Sequence, residues 1–268
     1  MKYQKTFPAF THTFFRKWSV AIKLIPLVTL VGVLKYLAHS FGLEMMELNA
    51  LFTSLVAGTI FLIGFLVSGV LSDYKESEKI PSEISASMRG LYDDTYTIYK
   101  GKDSEPARLF ILFQKSFVPV MMDWFYKRVR TQALLEQISM MNDFIVELDR
   151  EGVQPNYIIK LKNEQQTLRR LIIRVDTIRD TEFIGTAYAI VEAMGFLIAV
   201  GLIIIKIDPF YASMFFTILV TFLISYMFLL IKDLDNPFHY AVKGENGTEI
   251  SLKPIHDLSA AMQSGVNV

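Results

Sequence analysis

A chain of 268 residues in which 27 Lys and Arg balance 27 Asp and Glu has no formal net charge, and so no electrostatic basis for a bulk nucleic-acid partner. At 52% hydrophobic and 13% aromatic residues, with a mean hydropathy of +0.34, it lies above the range of soluble domains. The absence of cysteine excludes disulfides, thiolate catalysis and Cys-based zinc or iron–sulfur sites.

Residues 1–18, MKYQKTFPAFTHTFFRKW, are polar and aromatic and lack the form of a secretory signal. They are expected to be a cytoplasmic segment. The apolar run 24–34 lies between Lys23 and Lys35, and a first membrane span is placed at 19–38. Lys23 then snorkels at one end, and Pro26 lies within the first turns or just after a break. After a short outer loop at 39–47, residues 48–72 run for 25 residues without a charge. At about 1.5 Å per residue they reach about 37 Å, enough to cross a hydrocarbon core of about 30 Å with some tilt. Spans one and two together occupy 19–72.

Residues 73–182 form a helical domain by their pattern. Apolar positions recur at three- and four-residue steps from Trp124 to Leu148, predicting one long helix with a kink or short break near Pro119. Gly152 and Pro155 end it. A second helix is predicted over 156–179, leading straight into span three. Lys100 to Ser104 reads as a loop, and no strand pattern is evident. Spans three and four occupy 183–231, as a run at 183–205 whose single charge is Glu192 and an uncharged run at 210–231. Pro209 suits a helix start, with Asp208 as its candidate cap. The tail is 232–268.

Lys and Arg placement gives the orientation. The N-terminal flank carries Lys2, Lys5, Arg16 and Lys17, the tail carries Lys232, Lys243 and Lys253, and the 39–47 loop has none. Both termini are therefore expected in the cytoplasm of a multi-pass protein of the cell membrane, with 73–182 on the same side. No phosphate loop, G-x-S-x-G elbow or HExxH is present, and the four histidines lie in different segments. The expectation is a non-enzyme with no cofactor and no metal. Asn246-Gly247-Thr248 matches a glycosylation sequon, which this topology places inside. Glu192 is the ionisable residue within a span. It is either buried and hydrogen-bonded for structure or part of an ion path or proton relay.

Span two carries a patterned face. Ala57, Phe61, Phe65, Ser68 and Ser72 follow steps of four, four, three and four, so they share one helix face. Helix packing on small residues explains such a face. So does a pore wall, with stacked aromatic rings as a dry constriction and the serines lining a wetter mouth. Asp73 and Glu76 follow at the cytoplasmic mouth, Glu76 continuing the stripe by a further four-residue step.

These segments resemble the bestrophins, in particular the four-span bestrophin-like proteins of prokaryotes. Trp18-Ser19-Val20 with Lys23 and Pro26 is similar to the family's lead-in to its first helix. Phe61-Leu62-Ile63-Gly64-Phe65 resembles the pore neck, whose positions match Ala57, Phe61 and Phe65. Ser72-Asp73-Tyr74 with Ile80-Pro81 resembles the stretch after the neck, and Asn236-Pro237-Phe238 matches the motif after the last span. The resemblance implies an all-α channel, homopentameric, with a central pore and a helical cytosolic vestibule, partnered by membrane lipid and small inorganic ions. Animal members largely conduct anions, chloride among them. Asp73 stands where the family has arginine, which places anion selectivity in question, and the sequence after Phe238 lacks the acidic run of calcium-gated relatives. Two rival readings are a non-conducting membrane protein whose cytoplasmic helices bind a partner, and a proton-coupled carrier built on Glu192.

Overall fold

The computed structural model describes residues 9–180, 185–238, 240 and 249–264. Phe183, Ile184, His239, Glu245 and the 246–248 sequon lie outside the described residues, as does the expected junction between the second helix and span three. Within the described residues the chain is all-helical apart from its turns and one minimal strand pair. Residues 9–74 and 185–236 form one compact unit; residues 75–180, 237–238, 240 and 249–264 form another.

The first unit contains the four apolar stretches long enough to cross a membrane. They fall in α1 (Ala9–Ser40), the first half of α2 (Ala50–Lys102), α6 (Gly185–Ile204) and α7 (Phe210–Asp235). α1 packs on α6 and α7, and α6 on α7. Phe52, Ile63, Leu66 and Val70 of α2 share a core with Val191, Ile198 and Leu202 of α6 and with Ile224 and Ile231 of α7. Helix α1 starts ten residues before the predicted span and carries Pro26 in its interior, without a break. A Cβ on Gly201 would come within 2.3 Å of the Phe52 ring, so glycine is what lets α2 and α6 approach.

Two features of this unit differ from the sequence reading. Met46 and Glu47 (β1) pair in parallel with Ile205 and Lys206 (β2). Strands of two residues are too short to leave an alternating pattern in the sequence. Nor does Asp208 cap α7: the N-cap is Pro209, with no side-chain cap bond, and the Asp208 carboxylate lies 3.9 Å from Lys206 Nζ.

The second unit packs the rest of α2 with α3 (Glu105–Phe125), α4 (Thr131–Arg150), α5 (Pro155–Asp180) and α8 (Lys253–Ser264). Ile84, Met88 and Leu91 of α2 are fully buried, as are Phe110, Phe117, Ile138, Leu161 and Ile172. The Ser104 hydroxyl caps α3 by accepting from the Ala107 N–H at 3.2 Å, and the predicted loop shrinks to Asp103 and Ser104. The buried Gln114 donates to Thr95 Oγ1 at 3.0 Å, and Gln165 to the Ile138 carbonyl at 2.6 Å, so buried amides fix the helix registers.

The single long helix expected from Trp124 to Leu148 is instead two. Helix α3 runs through Pro119 and stops at Phe125, and α4 begins at Thr131. Lys127 turns the chain at φ 58°, and Arg179 of α5 donates to the carbonyls of Trp124 and Phe125, at 3.3 and 2.8 Å. Its guanidinium also lies 4.6 Å from the Trp124 ring. Burial lowers this guanidinium's pKa from its usual value, though a guanidinium stays charged in proteins. Trp124 Nε1 donates to Thr131 Oγ1, which donates to Asp176. The break is thus closed by residues about 50 positions away, while the apolar spacing happens to stay in phase across it. The predicted stop at Gly152 and Pro155 falls at the α4–α5 turn, where Gly152 has φ 71°.

Candidate functional site

Helix α2 presents two unlike faces in its membrane half. Phe52, Thr59, Ile63, Leu66 and Val70 are buried. Ala57, Phe61, Phe65, Ser68 and Ser72 are all exposed, Phe61 at 78% and Phe65 at 71%. The chain therefore leaves the aromatic stripe bare. Gly58 and Gly64 lie on the same open side, with nothing within 4 Å of an added Cβ.

Past the stripe, Asp73 and Glu76 are exposed. Glu76 Oε1 accepts from Arg174 of α5 at 3.0 Å. The cation on Glu76 thus comes from 98 residues further along the chain, on another helix. Both side chains of this pair are open to solvent, so it does more for local charge than for stability.

Glu192 is not buried. Its side chain is half exposed and accepts from Lys232 Nζ at 3.0 Å, and Lys232 lies 4.5 Å from the Phe228 ring centroid. The partner is a residue that the sequence reading used only to set orientation. Helix α6 runs unbroken past Glu192, unlike the interrupted helices of carriers.

The buried charge lies at the other end of the first unit, and the sequence reading missed it. Lys35, at the flank of the apolar run 24–34, is fully buried. Its ammonium donates to Glu44 Oε1 at 2.6 Å and to the carbonyls of Ile203 and Ile205, matching its three protons with three acceptors. The Ile203 carbonyl lies in the last turn of α6, where helical partners run out, and the Ile205 carbonyl in β2 just beyond it. His39 Nδ1 lies 2.8 Å from Glu44 Oε2, and its ring stacks on Phe210 at 4.0 Å. Desolvation alone raises the Glu44 carboxyl, but the hydrogen bonds from Lys35 and His39 outweigh it and hold the group below its ordinary value. The signal available in the sequence was a lone lysine inside an apolar stretch followed nine residues later by a glutamate.

In the motif after α7, Asn236 is the C-cap residue. Phe238 is fully buried, 6.3 Å from the Phe125 ring, and the Pro237 carbonyl accepts from Ile250 N–H at 3.1 Å. The motif's Pro and Phe therefore fasten the start of the tail into the second unit. Among the described residues no group of three or more His, Asp or Glu is placed to hold a metal ion.

No family model matches the sequence, and no curated protein does. Solved structures do match. A single-substitution variant of a bacterial bestrophin homolog from Klebsiella pneumoniae aligns with TM-score 0.74 at 15% identity, covering 90% of this chain and 97% of that one. Another variant of that homolog gives TM-score 0.75 at 14% identity, with 91% and 97% covered. A structure described as a membrane protein gives 0.73 at 13%, again with 91% and 97% covered. The molecule is thus an all-α membrane protein with four apolar helices and a helical second unit. Its fold is that of the bacterial bestrophin homologs.

Proposed function

We propose that copies of this chain assemble into a homopentameric ion channel in the cell membrane, with both termini cytoplasmic and α2 lining the central pore. Ala57, Phe61 and Phe65 form its neck, and Ser68 and Ser72 line the wider passage beside it. The observation that carries this reading is the character of the face α2 leaves bare. The open faces of the other membrane helices are mainly aliphatic or aromatic, as at Ile25, Leu30, Val33 and Leu37 of α1 and Phe196 and Leu197 of α6, with Thr29 and the Lys232-paired Glu192 among the exposed polar exceptions. That of α2 combines two bare phenylalanines with Ala57, Gly58, Gly64, Ser68, Ser72 and Asp73. Hydrocarbon gives no reward for exposing serine and aspartate, whereas a passage holding water does. The fold shared with bestrophin homologs and the resemblance in sequence support the same assembly.

A ring of five Phe61 and five Phe65 side chains supplies an uncharged constriction that gates by dewetting and favours weakly hydrated ions. At the cytoplasmic mouth each Glu76 carries its own Arg174, so the ring presents paired charges and only weak preference for either sign follows. Small inorganic ions, chloride among them, are the cargo. The test is conductance in planar bilayers. Replacing Phe61 and Phe65 together by alanine is expected to give a leakier channel of higher conductance with assembly intact. Unchanged conductance in an assembled double variant removes the neck from the proposal.

A further inference from the structure

Away from the α2 stripe, the first unit encloses a cavity of about 380 Å³ between α1, α6 and α7. This lies within the roughly 300–1,000 Å³ of ligand sites. Its lining is graded. Lys23 and Glu192 stand at one end, Ser225 and Gly195 at mid-height, and Val31, Ala199 and Thr221 at the deep end. On α1, Lys23 to Val31 covers about 12 Å at the helical rise. The wall includes Leu27 and Phe196, both exposed, so the cavity opens sideways onto the surface that meets hydrocarbon.

Two observations indicate that something polar belongs inside. The Thr221 hydroxyl is buried and has no hydrogen-bond partner among the described residues, although Thr59 and Thr217 each donate to a backbone carbonyl. A buried hydroxyl left unpaired is costly, so an acceptor at this position is favoured. At the charged end, Glu192 is taken by Lys232, while Lys23 has no ion pair among the described residues. The balance of these three groups is one positive charge.

We propose that the cavity holds the head and glycerol-ester region of an anionic diacyl phospholipid. Its phosphate sits on Lys23, an ester carbonyl accepts from Thr221 with Ser225 one turn away, and the chains leave between Leu27 and Phe196. An anion at Lys23 is drawn by the unbalanced charge. Ester carbonyls are the acceptors such a lipid carries a few bonds below its phosphate, which separates it from a free fatty acid. The site is independent of conduction through α2.

The test uses the full chain, purified in detergent and stripped of lipid. It is titrated with diacyl phosphatidylglycerol, diether phosphatidylglycerol, phosphatidylcholine and oleate, and bound lipid is read by native mass spectrometry. Diacyl phosphatidylglycerol is expected to bind best. The Lys23→Gln variant should lose its preference over phosphatidylcholine. Thr221→Val, which keeps side-chain shape, should weaken the diacyl lipid about tenfold, the worth of one good hydrogen bond, while leaving the diether lipid unmoved. A phosphatidylglycerol with a photoreactive group near its ester should label the lining of α1, α6 and α7 in the native protein, a readout that needs no variant. Equal retention by native protein and both variants overturns the proposal. So does full displacement by oleate, or labelling elsewhere, as when a second copy seals the opening.

Discussion

Glu76 and Arg174 are each other's counter-ions, so neutralising either one exposes the other. Glu76→Gln is expected to move the reversal potential in a tenfold KCl gradient toward that of chloride, and Arg174→Gln toward that of potassium. Shifts of opposite sign place the pair beside the conduction path; two unmoved reversal potentials remove it from the mouth. The Lys35 cluster is expected to act on stability instead. Lys35→Met leaves the Glu44 carboxylate, whose side chain is only 8% exposed, without its main partner. Breaking a buried pair from one side costs about 3–5 kcal/mol, measurable as a lowered Tm in detergent. Because the Glu44 pKa is held down in the folded chain, its contribution is complete above the unfolded value of about 4.3. It fades as pH falls through the lower folded value. The stability advantage of the native chain over Glu44→Gln should therefore be constant at neutral pH and shrink below about pH 4. An advantage that grows on acidification contradicts the assignment. Neither Arg174 nor the burial of Lys35 was legible in the sequence. Each depends on a partner supplied by another helix, and one-dimensional spacing carries no such information.

Among the helices, α2 and α6 meet where Gly201 faces Phe52. Gly201→Ala is expected to destabilise by about 1–3 kcal/mol through overpacking, and adding Phe52→Leu should recover part of that loss. A Tm unchanged by the single substitution shows that the ring moves aside freely. The long apolar runs of α1, α2, α6 and α7 could be read from the sequence because hydrocarbon demands length and the absence of charge, both of them local properties. The α3–α4 break could not. Its turn residue, Lys127, has no special propensity for left-handed backbone; the Trp124 carbonyl accepts from the Lys127 N–H as well as from Arg179 of α5, which also bonds the Phe125 carbonyl. The same holds for Glu192: a carboxylate in an apolar run announces that it needs a partner, but only helix packing names Lys232.

At the scale of the whole molecule, the proposed channel should conduct without micromolar calcium. After Phe238 the sequence HYAVKGENGTEI offers only Glu245 and Glu249 as carboxylates, too few for an oxygen-ligand clasp. Currents that persist in chelator agree with this; currents that vanish on chelation and return with calcium overturn it. The sequence by itself determined that this is an all-α membrane protein with four spans and a helical second unit, and that Ala57, Phe61, Phe65, Ser68 and Ser72 share a face. Hydropathy and helical period are written in neighbouring residues, so no tertiary contact is needed to read them. Only the tertiary structure decided which face of α2 is packed and which is bare. It alone paired Glu192 with Lys232 and Glu76 with Arg174, buried Lys35 against Glu44, and opened a cavity beneath Lys23. Charges and orphan hydroxyls find their partners through space, at distances along the chain that no local pattern encodes.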